Sequence, residues 1–263
     1  MSSESNFIPN PARFFGRVAL VTGAGSGIGR AAALRFTQEG ASVVLVGRRE
    51  QPLSSVAQDI EKAGGQACVV PTDISDEAAV DALIRRVLER FGRLDFAFNN
   101  AGVLGALKPI VELSCEDFDT TMATNLRGVW LLLRAEIRAM LDGGRPGAIV
   151  NTSSFVAEAA SAGTSVYAAS KAALNAMIRA LALEVGPAGI RINNVAPGLI
   201  RTPMNADLDD KLVAAFSAHA ALKRAGVPAD VGDVAVWLCS DDARFVTGQT
   251  LLVDGGVAIP GLR

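Results

Sequence analysis

One histidine, one tyrosine and three cysteines are all that the 263 residues offer of those types, and each scarcity removes a class of chemistry. The lone His219 excludes any site built on several imidazoles. Cys68, Cys115 and Cys239 form no CxxC pair, so neither a disulfide framework nor a zinc knuckle is expected, and no ligand cluster points to a metal. No run approaches the ~18–20 apolar residues that a membrane helix needs, so no membrane partner is expected. Lys and Arg number 25 against 27 Asp and Glu, a formal charge of −2; no chain-wide basic field invites nucleic acid. The N-terminal stretch is polar and Pro-bearing and lacks the charged start and apolar core of a signal peptide. It reads as a loose tail over 1–15 on a cytoplasmic protein.

Half of the chain is hydrophobic, enough to bury one large core, and nothing divides 16–263 into smaller units. Short apolar runs alternate with longer helical patterns. Strands are expected at 18–22, 42–46, 67–70, 94–98, 148–151, 190–195 and 250–253, with helices over 27–39 and 51–63 and long helical segments over 115–141 and 161–185. In the helix after the third strand, Val80, Leu83, Ile84, Val87, Leu88 and Phe91 recur at spacings of three and four, with Ser75 as its cap and Gly92 as its stop. Strands apolar throughout suit a sheet buried on both faces. Repeated strand–helix units make it mainly parallel. The fold class is therefore α/β: a doubly wound, Rossmann-type sheet of about seven strands with helices on both faces. Such sheets bind ligands beyond the C-terminal ends of their strands.

The first strand ends in Thr22-Gly23-Ala24-Gly25-Ser26-Gly27-Ile28-Gly29 and opens a helix. Glycines there let the backbone approach a pyrophosphate, and the helix N-terminus offers unpaired N–H groups; a plain structural turn is the alternative. The spacing is neither GxGxxG nor a phosphate loop with Lys. Gly47-Arg48 ends the second strand, where an acid would accept from an adenosine ribose. With Gly47 in that place and a guanidinium beside it, a 2′-phosphate is favoured, hence NADP(H), with NAD(H) as the other possibility. Asp73, followed by Ile74, ends the third strand and can accept from an adenine amine. Asn99-Asn100-Ala101-Gly102 ends the fourth. The fifth ends in Ser153-Ser154, and Tyr167 follows Ser154 by 13 positions. Tyr167 and Lys171 are i and i+4 on a helix, and a cation beside a phenol favours the phenolate. Bringing a Tyr pKa from about 10 to near 7 takes roughly 4 kcal/mol of such preference.

From Arg17 to about Gly256 the chain resembles the short-chain dehydrogenases/reductases. The likeness rests on TGAGSGIG at 22–29, NNAG at 99–102, Asn125 in a long helix, the Ser154, Tyr167 and Lys171 set, and APGLIRT at 196–202. The resemblance implies an NAD(P)(H)-dependent oxidoreductase that interconverts a ketone and a secondary alcohol by hydride transfer. It makes Tyr167 the general acid/base and Ser154, rather than neighbouring Ser153, the hydrogen-bond donor to the carbonyl oxygen. Lys171 would bind the nicotinamide ribose and lower the Tyr pKa. Asn125 would hold a water leading to Lys171. Gly23, Ser26, Gly27, Ile28, Gly29, Arg48, Asp73, Ile74, Asn100, Ala101 and Gly102 would contact the cofactor, and Pro197, Gly198, Ile200 and Thr202 would receive its carboxamide. Ala157 departs from the Gly that many members carry there.

A homotetramer is expected, with a dimer as the alternative, since members of the family usually pair the helices over 115–141 and 161–185 and these look over-supplied with apolar residues, among them Val129, Trp130, Leu131, Leu132 and Leu133. The apolar segment after Gly256 could join another interface. A substrate lid is expected at about 202–225, with Met204, Leu208, Leu212, Val213, Phe216 and Leu222 on its apolar side. Val103, Leu104, Leu107, Phe155 and Val156 would extend that wall, which favours a moderately apolar small substrate. Glu158 and His219 are the polar exceptions. The alternatives are a 3-oxoacyl-thioester reductase, for which Arg127, Arg134, Arg138 and Arg201 could dock an acidic carrier, and a sugar or polyol dehydrogenase. A non-catalytic dinucleotide-binding regulator could dispense with Tyr167 or Lys171, and both are present. A Ser-His-Asp hydrolase would need His219 beside Ser154, and no GxSxG elbow surrounds that serine.

Overall fold

The structure, a computed structural model, describes residues 10–206 and 208–260. Seven strands, β1 (Val18–Thr22), β2 (Ser42–Gly47), β3 (Gln66–Pro71), β4 (Phe96–Asn99), β5 (Gly147–Thr152), β6 (Ile190–Pro197) and β7 (Thr250–Val253), form one sheet in the order β3-β2-β1-β4-β5-β6-β7. Every pairing is parallel. The chain runs outward from β1 to β3, then returns to place β4 on the other side of β1. That reversal opens a crevice at the carboxyl ends of β1 and β4.

The sheet is covered on both faces, and the period of two along each strand sorts the side chains. Ala19 and Val21 of β1 and Val43 and Leu45 of β2 join one core with residues of α1 (Gly27–Gln38), α2 (Glu50–Lys62) and α8 (Pro228–Cys239). Val18, Leu20, Val44 and Val46 point the other way, into a core with α3 (Glu77–Phe91), α5 (Val129–Asp142) and α6 (Ser165–Val185). An alternating strand buried on both sides must be apolar throughout, as these are.

Local chemistry revises several sequence-based expectations. The cap of α3 is Asp76, whose carboxylate accepts from the N–H groups of Ala78 and Ala79. Ser75 lies one residue outside the cap position, where its hydroxyl and its N–H both donate to Asp73, at 2.7 and 3.0 Å. Gly92 ends that helix in the left-handed conformation, φ 67°. The long segment expected over 115–141 divides into α4 (Cys115–Met122), a wide π turn over Ala123–Gly128, and α5. Four of the residues counted toward an interface, Val129, Leu131, Leu132 and Leu133, are core; Trp130 alone of the five is exposed.

Residues 1–9 of the expected tail lie outside the described residues, as do 261–263 of the C-terminal apolar segment. The end of that tail is not loose: Phe14 is 2% exposed, and its ring centroid lies 4.9 Å from that of Phe96 and 5.6 Å from that of Phe36. Its N–H also donates to the Glu39 carbonyl at 2.8 Å. The last helix pair comprises α7 (Asp210–His219), within the expected lid, and α8. No described helix is long and apolar enough to cross a membrane.

Candidate active site

A cleft of about 790 Å³ runs along the carboxyl ends of the strands. At one end Arg48 and Arg49, exposed beyond β2, and Asp73 beyond β3 form its rim. The hydrogen bonds from Ser75 hold the Asp73 carboxyl below its ordinary range, and Arg48 adds to the effect. Gly23, Ser26, Gly27 and Ile28 line the next stretch. Ser26 precedes α1 without a side-chain hydrogen bond to its first turn, so the helix N-terminus presents N–H groups toward the cleft where a diphosphate fits. Gly29, expected among the contacts, is instead buried beneath this turn. A Cβ there would collide with the Gly23 carbonyl and lie 2.7 Å from Nδ2 of Asn100; Gly29 permits the close packing of helix on strand.

Thr22 ties β1 to β4 across the floor. Its hydroxyl oxygen accepts from the N–H groups of Asn100 and Ala101, each at 3.0 Å, and its carbonyl accepts from Nδ2 of Asn100 at 3.2 Å. Asn100, Ala101, Gly102 and Ile74 all line the cleft, as do Pro197, Gly198, Ile200 and Thr202. The Thr202 hydroxyl donates to Oδ1 of Asn205 at 3.3 Å, which leaves its oxygen as the acceptor for an incoming amide.

Ser154, Tyr167 and Lys171 meet at the inner end. The competition between the two serines is decided by partners. Ser153 is 1% exposed and its hydroxyl donates to Oδ1 of Asn175 at 2.7 Å, while the Ser154 hydroxyl accepts from the Val156 N–H at 3.4 Å and stands beside the Tyr167 side chain. Burial pushes the Tyr167 phenol above its ordinary range, and the Ser154 hydroxyl works in the other direction. The expected lowering by Lys171 is therefore not a property of these side chains alone. Burial brings the Lys171 amine down to about 8. Its Nζ donates to the Thr152 carbonyl at 2.7 Å and stands 5.8 Å from the centre of the Tyr167 ring.

Asn125 lies behind this group, fully buried in the π turn and outside the cleft lining. Its carboxamide accepts from the Val103 N–H and donates to the Val103 carbonyl, both at 2.8 Å, and donates to the Ser170 hydroxyl at 3.2 Å. The side chain expected to hold a water is thus engaged by protein. A Cβ on Gly102 would lie 3.2 Å from Oδ1 of Asn125 and 3.4 Å from Nζ of Lys171, so these three positions do converge.

Several residues escaped the sequence reading. Gly25, Arg49, Pro52 and Leu53 line the outer cleft. Thr152 acts through a carbonyl, which no residue type announces. Asn175 anchors Ser153, and its spacing of four beyond Lys171 was the available signal. Of the expected apolar wall, Val103, Leu104, Leu107, Phe155, Val156, Met204, Leu208, Leu212 and Phe216 line the cleft, whereas Val213 and Leu222 do not. Glu158 and His219 are also absent from the lining. Arg127 and Arg134 face Glu77 of α3 instead of the cleft mouth.

The chain is similar to known proteins along nearly its whole length. A family model described as Enoyl-(Acyl carrier protein) reductase matches residues 23–258. Glucose 1-dehydrogenase of Gluconobacter oxydans (strain 621H) is 41% identical over 256 residues, 96% of each chain. A short-chain dehydrogenase/reductase of Hericium erinaceus is 38% identical over 244 residues, 91% of this chain and 96% of that one. The crystal structure of levodione reductase superposes with a TM-score of 0.91 at 36% identity, covering 95% of this chain and 100% of the other. The chain belongs to the short-chain dehydrogenase/reductase family, and with that membership goes oxidoreductase chemistry on a nicotinamide dinucleotide.

Proposed function

We propose that the protein interconverts a ketone and a secondary alcohol of moderately apolar character, with NADP(H) preferred over NAD(H). The observation that supports this best is that Ser154 and Lys171 flank Tyr167 in the lining of the cleft that also takes in the glycine turn. The cofactor supplies or takes the hydride. In reduction Tyr167 gives its hydroxyl proton to the carbonyl oxygen as carbon receives hydride, and Ser154 donates a hydrogen bond to that oxygen. The resulting phenolate is left beside Lys171. With its amine near 8, Lys171 can return a proton at neutral pH. Because burial alone raises the phenol, the positive charge of an oxidised nicotinamide is the further influence that would lower it. Asn125 acts as a positioning residue, holding Val103 and the first turns of α6 in place.

The preference for NADP(H) follows from Gly47 and Arg48. No carboxylate stands at the end of β2 to repel a 2′-phosphate, and the Arg48 guanidinium on the rim can pair with one.

The homotetramer remains our reading of the assembly. It is supported by exposed apolar side chains: Phe118 and Trp130 on α4 and α5, Leu183 on α6, and Leu251 and Leu252 on β7. A particle of one chain's mass in light scattering at micromolar concentration would refute it.

A sugar is the competing substrate, given the likeness to glucose 1-dehydrogenase. The lining offers it little: the Thr164 hydroxyl donates to the Ser161 carbonyl, and the Asn205 side chain bonds Thr202 and Ile200. Following nicotinamide absorbance, kcat/KM for an alkyl ketone should exceed that for an aldose of similar size. A sugar favoured by about tenfold or more, ~1.4 kcal/mol in transition-state binding, would overturn the apolar reading.

A further inference from the structure

Helix α7 is unusual in this molecule because none of its residues is buried. A ten-residue helix gains little from intrinsic propensity and is ordinarily held by packing its apolar face on a core. Leu208, Leu212 and Phe216, four apart, instead face the cleft. Leu212 remains 44% exposed. Phe216 of this helix meets Phe155 of the body, centroids 6.0 Å apart and planes at 83°. Phe155 directly follows Ser154, so this pair stands next to the group that would hold the carbonyl oxygen.

Two rings at a right angle make a corner. A third, flat ring placed there can stack on the face of one while its own edge meets the face of the other, both contacts favoured by the quadrupoles of the π systems. A flexible alkyl chain gains only the area it buries and loses rotamer freedom in doing so. We propose that Phe155 and Phe216 form a ring-recognition corner, and that the substrate carries its carbonyl on or next to a planar aromatic or conjugated ring. The ring then supplies the apolar partner that α7 lacks. The inference rests on the ketone reading above and goes beyond it by naming the shape of the substrate.

Three methyl ketones with six-carbon groups separate shape from bulk: phenyl, cyclohexyl and n-hexyl methyl ketone. We expect kcat/KM for the phenyl compound to exceed that for the hexyl compound by at least about tenfold, with the cyclohexyl compound between them. Phe216→Leu should shrink the ratio to within about threefold, chiefly through a higher KM for the phenyl ketone. Phe155→Leu should act in the same direction. Equal use of phenyl and hexyl ketones by the wild-type enzyme would overturn the proposal, as would a Phe216→Leu variant that loses both substrates alike. Calorimetric affinities of the three compounds for the enzyme loaded with oxidised NADP, which has no hydride to give, make the same comparison without turnover. Ring-selective binding lost in Phe216→Leu, with no reduction of any ketone, would sink the ketone reading and leave the corner standing. Binding with no ring preference would sink the corner whatever the turnover.

Discussion

Nζ of Lys171 donates to the carbonyl oxygen of Thr152 at 2.7 Å, so the last residue of β5 fixes the ammonium 5.8 Å from the centre of the Tyr167 ring. Both partners have other neighbours in the same network. The Thr152 hydroxyl donates to Oδ1 of Asn100 at 3.3 Å, and Ser153, the next residue, anchors to Asn175. The helix that carries Tyr167 and Lys171 is thereby keyed to the strand end that presents Ser154.

Lys171→Met should cut turnover by about two orders of magnitude or more while the chain folds normally, since proton delivery is worth about 10²–10⁴ in rate. The wild-type rate of reduction should fall as pH rises through about 8, where Lys171 gives up its proton. Lys171→Arg, whose guanidinium stays charged, should lose that inflection. An unchanged inflection in the Arg variant would assign it to another group.

Glu136 yields a prediction about stability and pH. It is fully buried on α5, accepts from Nδ2 of Asn99 at 2.9 Å, and has one oxygen without a partner, as does Oδ1 of Asn99. Burial pushes its carboxyl up to about 7 from an ordinary 4.5. The folded chain therefore holds this proton more tightly than the unfolded chain. The associated stability is fully present below about 4.5 and is lost as pH rises through about 7. Glu136→Gln should abolish that decline and be the more stable form at pH ~8, by at most on the order of 3 kcal/mol. Parallel pH profiles of Tm for the two proteins would contradict the assignment.

Arg48→Asp should reverse the coenzyme preference, because a carboxylate there repels a 2′-phosphate and accepts from a ribose 2′-hydroxyl. The check is kcat/KM for NADPH against NADH in both proteins. A wild-type enzyme that prefers NADH would refute the reading of Arg48.

Phe14→Ala should cost about 3–5 kcal/mol in urea unfolding, the range for a large aromatic removed from a packed core. A loss below about 1 kcal/mol would mean that the segment before β1 contributes little to the fold.

The sheet and the inner cleft were legible in the sequence because β1, β2, β4 and β5 are largely apolar runs that stop abruptly, while β6 is marked by the Pro-Gly at its end in spite of Arg191, Asn193 and Asn194 within it. The residues at those stops, Gly23, Asn100, Ser154 and Pro197 among them, then lie at one edge of the sheet by topology alone. Tyr167 and Lys171 were legible through their spacing on one helix face. Phe14 was not, because a single aromatic in a polar stretch carries no period. The cap at Asp76 was hidden because Asp73, Ser75 and Asp76 all have capping chemistry, and only the folded loop shows that Ser75 donates to Asp73. Nor could apolar content distinguish Trp130, which is exposed, from Leu131, which is buried. The engagement of Asn125 with Val103 is a long-range contact, and no local pattern encodes it.

The most direct measurement is turnover by Tyr167→Phe, with NADP(H) affinity determined on the same preparation. The phenol is a single hydroxyl on a half-buried ring beside Ser154, so its removal leaves packing and the cofactor cleft nearly intact. The account predicts an affinity within about threefold of wild type and a loss of at least ~10² in turnover of a methyl ketone. A Phe variant that retains more than about a tenth of wild-type turnover would show that the proton comes from elsewhere.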